Sequence, residues 1–259
     1  MPLEIGELVY VMLLFFIVAL LYAAVGFGGG SSYLALLTLL LTSFFVIRST
    51  ALLCNLMVVS GSCYLFYRKG HLKIKKFLPF ILASVPMAFL GASFRLKEHI
   101  FFIILGISLI IAALALVIQT LNLKSKYNTV TYPLYLPYIL GAGIGFLSGL
   151  VGIGGGIFLA PILNQMKWDK PITIAALASF FILVNSISGI SGLVTGGTFE
   201  LFWPEIIGLL AAVLIGGQLG VRLSLSRISA KGIRLLTALL VLFVGVRVLL
   251  DNGLQINFL

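Results

Sequence analysis

Charge is the scarcest ingredient of this sequence. Lys, Arg, Asp and Glu make up 9% of its 259 residues, against about 25% in an ordinary water-soluble domain. So few charges cannot clothe a surface in contact with water, which excludes a soluble enzyme or binding module. Acids are the rarer sign, with seven Asp and Glu in all, and none lies in the middle of an apolar run. Proton-coupled carriers usually hold a carboxylate or histidine inside the membrane. Here Glu98 and Glu205 fall at segment ends, and His71 and His99 fall in loops. Cysteine is nearly missing as well. Cys54 and Cys63 share one apolar segment, nine positions apart, or about 900° of helix. They point to opposite sides, so no disulfide between them is expected. Neither has a histidine nearby, which argues against an intramembrane enzyme, and no cofactor or metal is expected.

What is abundant is apolar sequence. Hydrophobic residues make up 61% of the chain, in runs long enough for helical spans rather than the short alternating strands of a barrel. The runs fall at roughly 8–25, 31–47, 49–67, 77–94, 100–120, 133–151, 157–166, 171–193, 204–221 and 232–250. Two are short, 31–47 and especially 157–166. The first run is long and has no small-residue cleavage site, so no separate signal peptide is expected. The net charge of +10 is spread over many short loops, the mark of a membrane protein rather than a nucleic-acid binder. With the loop 68–76 on the cytoplasmic side, the 17 basic residues divide as 13 inside and 4 outside, which orients the chain. Both termini then lie outside, as do six of the seven acids, only Asp169 being inside. Arg48 and Arg247 fall near outer ends, where long side chains can snorkel. Trp168 and Trp203 fall near opposite interfaces, the usual place for ring anchors.

The chain repeats itself. Val25-Gly26-Phe27-Gly28-Gly29-Gly30 matches Val151-Gly152-Ile153-Gly154-Gly155-Gly156 at an offset of 126, and Gly91 matches Gly217 at the same offset. Each half holds five apolar segments. Five is odd, so the second half runs through the membrane upside down, as in many secondary transporters. The expected fold is an all-α membrane protein, 1–259 as one transmembrane domain, of about ten transmembrane or half-membrane helices. Repeat 1 is about 5–120, a polar linker covers 121–132, and repeat 2 is about 133–252. Each glycine motif with its flanking segments reads equally as two full spans or as a re-entrant hairpin.

Glycine costs about 1 kcal/mol relative to alanine inside a helix, so eight in two clusters ask for a reason. A break of this kind frees several amides, and in hydrocarbon such groups need a partner or a protein-lined cavity. Each break precedes a helix whose N-terminus carries roughly half a positive charge and free N–H donors. Two such ends entering from opposite faces can bracket an anion without any buried cation. Two motifs at corresponding places, each before a short segment, favour this over close helix packing. The candidate substrate contacts are Gly28, Gly29, Gly30, Ser31, Ser32, Asn55, Gly154, Gly155, Gly156, Ser179, Asn185 and Gln218. For Asn55 and Gln218, interhelical hydrogen bonding and substrate contact stand equally open, and most of the serines read as interhelical glue. Asn185 shares one helix face with Ser188, Gly189 and Gly192. The expected partners are the lipid bilayer and a small anion; a homo-oligomer is left open.

The segments Ser148–Leu163 (SGLVGIGGGIFLAPIL), Ala23–Leu37 (AAVGFGGGSSYLALL) and Ala176–Gly189 (ALASFFILVNSISG) resemble the TauE/SafE family, the sulfite-exporter-like membrane permeases. The resemblance runs from about residue 10 to 250. Ala35 stands near where Pro161 aligns, and Ser31-Ser32 replace Ile157-Phe158. The resemblance implies transport of small anions of oxidised sulfur, such as sulfite, or of organosulfonates, in the cell membrane. It adds the sulfur chemistry; the residues themselves point to an anion-capable permease with inverted halves.

Overall fold

The computed structural model describes residues 5–24, 26–38, 43–121, 130, 132–201, 203–224 and 230–254. Val25, most of the expected linker, and the basic residues Lys124, Lys126 and Arg227 lie outside the described residues. The described residues form ten α-helices: α1 (Ile5–Ala24), α2 (Gly30–Thr38), α3 (Phe44–Arg68), α4 (Ile74–Ser93), α5 (Glu98–Leu121), α6 (Tyr135–Val151), α7 (Gly156–Gln165), α8 (Pro171–Thr195), α9 (Ile206–Ser224) and α10 (Ala230–Arg247). A π-helical turn, Val248–Gly253, extends α10. Among the described residues, six helices are long and apolar enough to cross a membrane: α1, α3, α4, α5, α8 and the stretch Leu235–Gly253. Large apolar side chains such as Leu13, Leu82, Ile111 and Leu239 point outward, as suits a surface solvated by lipid tails rather than water.

The helix pairings come in matched sets. α1 packs along α9, and α6 packs along α4; α3 meets α9, and α8 meets α4; α2 lies on α3, and α7 on α8. Exchanging the first five helices with the last five returns the same pattern, with α3 against α8 and α5 against α10 at its centre. The two 25-residue helices α3 and α8 are the most enclosed of the candidate spans, with 67% of each apolar window buried.

Glycine sets how closely the paired helices approach. A Cβ at Gly141, Gly145 or Gly149 of α6 would run into the carbonyls of Phe80, Ser84 or Ala88 on α4. In the same way, Gly216 and Gly220 of α9 lie against the carbonyls of Phe16 and Leu20 on α1. Lipid tails are as apolar as leucine, so close backbone packing is the main attraction left between helices in a bilayer.

Three expectations change. The second helix is described over Gly30–Thr38 and α3 begins at Phe44, so Arg48 is not a boundary residue but sits four positions inside a helix. Its side chain is 0% exposed and does not snorkel. Arg247 Nε donates to Asp251 Oδ2 at 3.2 Å, one turn further on. Trp168 is no interfacial anchor. It is 7% exposed, meets Phe80 edge-on at 5.3 Å between centroids, and carries Lys76 Nζ 4.4 Å above its ring; Trp203 alone is open, at 63%.

Candidate functional site

Both glycine motifs break the chain between two helices, and they do so alike. After α1, Gly26 and Gly29 take φ of +87° and +88°; after α6, Gly152, Gly154 and Gly155 take +85°, +85° and +82°. These left-handed conformations are open to glycine and strained for other residues. Each break restarts a helix on one carbonyl. Gly29 O accepts from the amides of Ser32 and Tyr33 at 3.0 Å, and Gly155 O accepts from those of Phe158 and Leu159 at 3.1 Å. Among the described residues, no hydrogen bond is made by the N–H groups of Gly28, Gly29, Gly30 and Ser31, or of Ile153, Gly154, Gly155, Gly156 and Ile157.

The two breaks lie together. Asn55, fully buried on α3, fills the space that a Cβ on Gly28 or Gly30 would need, and its Nδ2 lies 3.2 Å from where a Cβ on Gly154 would stand. Nδ2 donates to the Ile153 carbonyl at 2.9 Å, while Oδ1 has no partner. From the other half, Ser179 Oγ on α8 donates to the Gly26 carbonyl at 3.0 Å. Each long helix thus holds the break of the opposite half. Between the breaks is a cavity of about 10 Å³ lined by Tyr22, Phe27, Gly28, Gly29, Gly30, Ser31, Ile153, Ile157 and Ile182. That is close to the size of one water, too small for an oxyanion.

The predicted residues divide into groups. Gly28, Gly29, Gly30, Gly154, Gly155, Gly156 and Asn55 come together. Ser31 and Ser32 are adjacent, but their hydroxyls engage Tyr22 OH, at 3.3 and 2.6 Å. Ser179 is adjacent and committed to Gly26. Asn185 is buried with neither side-chain atom partnered; its face carries Ser188, bonded to Val85 O at 2.6 Å on α4. Gln218 does not join the cluster. It packs against Gly61 of α3, six residues or about 9 Å along the helix from Asn55.

Three polar residues at the breaks were not anticipated. Ser186 Oγ, unpartnered, lies 3.4 Å from where a Cβ on Gly154 would stand. Ser148, its hydroxyl also unpartnered, borders Gly155, and Tyr33 OH borders Gly29. The signal for Ser186 was its helical register with Ser179 and Ile182, one face of α8. Chemically the cluster offers main-chain donors at two helix N-termini and a few neutral polar groups. Among the described residues, no three His, Cys, Asp or Glu side chains gather to hold a metal.

Comparison with known proteins places the chain in a family. The sequence model of the family described as sulfite exporter TauE/SafE matches residues 11–248. The chain belongs to that family. It is 32% identical over 209 residues to the probable membrane transporter protein y4hK of Sinorhizobium fredii, covering 78% of this chain and 82% of that one. It is 24% identical over 222 residues to the probable membrane transporter protein YunE of Bacillus subtilis, covering 78% and 80%. No solved structure matches it. This TauE/SafE member is accordingly a multi-pass protein of a membrane transporter family.

Proposed function

We propose that this protein is a secondary carrier of a small sulfur-containing oxyanion, such as sulfite or an organosulfonate, working by alternating access in the cell membrane. The observation that carries the reading is the meeting of the α2 and α7 N-termini at Asn55, with nine main-chain amides unpaired among the described residues. Each helix end contributes roughly half a positive charge, and glycine lets an oxyanion approach the backbone closely. The family supplies the sulfur chemistry.

The two halves act as inverted repeats in this reading. The matched helix pairings support it, as does the odd number of segments in each half. The basic loops set the termini outside. Rocking of one half against the other opens the closed cavity to each face in turn. Export of an anion needs no coupling ion, because leaving a cell that is negative inside gains about 2.3 kcal/mol per charge at 100 mV. No step here makes or breaks a covalent bond, so the protein is a transporter and not an enzyme.

Sulfite flux into proteoliposomes tests this reading. Saturation and acceleration by sulfite on the far side are the expected results. Ohmic, unsaturable currents would point instead to an anion channel of the same architecture. A melting-temperature rise with a carboxylate and none with sulfite, sulfoacetate or thiosulfate would move the substrate to another anion class.

A further inference from the structure

Arg48 is a cation in a place where the chain otherwise avoids charge. It lies inside α3, is 0% exposed, and no Asp or Glu among the described residues comes within ion-pair distance of it. One nitrogen, Nη2, donates to the Gly149 carbonyl at 3.0 Å and reaches the Ala92 carbonyl at 3.5 Å. Both carbonyls belong to last helical turns, those of α6 and α4, so two helix C-termini offer partial negative charge. The Phe101 ring lies 5.7 Å from the guanidinium carbon. These contacts account for one corner of the group. Nε and Nη1 remain buried without a partner, and unsatisfied charged donors in hydrocarbon are expensive.

Its position gives those donors a use. Arg48 and Asn55 are seven residues apart on α3, so they share a face about 10 Å apart along the axis. The second glycine break runs along that face. Gly152 lies over the Arg48 backbone, with 3.6 Å to a Cβ built there, and Ile153 is held by Asn55. The other half has no such charge. The equivalent Gly26 lies over Ala175 instead, where an added Cβ would come 2.8 Å from the Ala175 Cβ.

We propose that Arg48 is a second anion-binding station, whose free guanidinium donors take the oxyanion between the central glycine cluster and the membrane face at which α3 begins. The proposal rests on the reading of the protein as an anion carrier. It goes beyond it in giving the carrier one fixed positive charge, on one side only. The guanidinium fork suits an oxyanion, and it keeps its charge when buried. A carrier built this way binds its substrate more tightly from the Arg48 side than from the other.

The test is sulfite flux in proteoliposomes measured separately from the two faces, with Arg48→Gln and Arg48→Lys. Gln removes the charge and keeps a neutral amide donor, although a shorter one. Arg48→Gln is expected to raise the half-saturating sulfite concentration from the Arg48 side by at least about tenfold, with a smaller change from the opposite side and a smaller effect for Lys. An unchanged half-saturation in a folded Arg48→Gln protein overturns the proposal, as does an equal loss from both faces. If that variant does not fold, phenylglyoxal labelling of the wild-type protein decides. Arg48 is expected to label in the absence of substrate and to be protected by added sulfite, with exposed Arg95 as control. Failure of Arg48 to label while Arg95 reacts, or labelling indifferent to sulfite, also overturns it. A wild-type protein that neither moves nor binds any oxyanion removes the carrier reading itself, and this proposal with it.

Discussion

Asn55 Nδ2 and the Ile153 carbonyl are joined by a 2.9 Å hydrogen bond that spans 98 positions of the chain. It ties a helix of the first half to the glycine break of the second, and Ser179 returns the tie by holding Gly26 at 3.0 Å. The two breaks are therefore positioned by the partner half.

Asn55→Ala removes the donor to Ile153 and leaves a buried carbonyl unpaired, a cost of about 1–3 kcal/mol. Asn55→Asp is nearly isosteric but brings an acid to the place where the anion is proposed to sit. Both are expected to reduce sulfite flux, Asp by the larger factor, and vesicle flux with a fluorescence melting curve checks the pair. Full flux in Asn55→Asp would speak against an anion beside this side chain.

Two glycine substitutions separate the break from ordinary helix. At Gly154, φ is +85° and a Cβ would come 2.7 Å from Ile182 Cγ2, so Gly154→Ala is expected to lose transport and about 1–3 kcal/mol of stability. At Gly143, within α6, nothing lies within 4 Å of an added Cβ. Gly143→Ala is expected to leave transport intact and to gain up to about 1 kcal/mol. Melting temperatures and flux measured side by side test both.

The loop before α8 carries a pH-dependent tie to α4. Burial alone pushes the Asp169 carboxyl upward, but Lys76 at 2.7 Å, the Lys170 amide at 2.6 Å and Lys73 at 3.6 Å outweigh it and hold the group below its ordinary value. A carboxylate lowered in the folded state stabilises above the usual range of about pH 4, and that contribution is lost as pH falls through the lowered value. Melting temperature is expected to fall on acidification in the wild type and to fall less in Asp169→Asn. Equal acid dependence in the two proteins would show that the ion pair contributes nothing.

Much of this architecture was legible because apolar runs and glycine breaks are local features. Ten segments were expected and ten helices are described. The misplaced boundary between the second and third came from Arg48. A lone arginine beside a polar Ser-Thr pair reads as a loop, and its burial depends on the Gly149 and Ala92 carbonyls, more than forty positions away along the chain. Trp168 misled for the same reason, since its cover comes from Phe80 and Lys76 on α4. Asn55 was visible as a polar amide in an apolar span, and Gln218 looked just as good. Which of the two meets the glycine breaks depends on how α3, α8 and α9 pack.

The most direct measurement is a structure determined with selenite, a heavier analogue of sulfite with an anomalous signal. The account predicts one selenium position within hydrogen-bonding reach of the amides of Gly28–Ser31 and Gly154–Ile157, beside Asn55. Selenium found only away from both breaks, with those glycines still in tight contact, would contradict it.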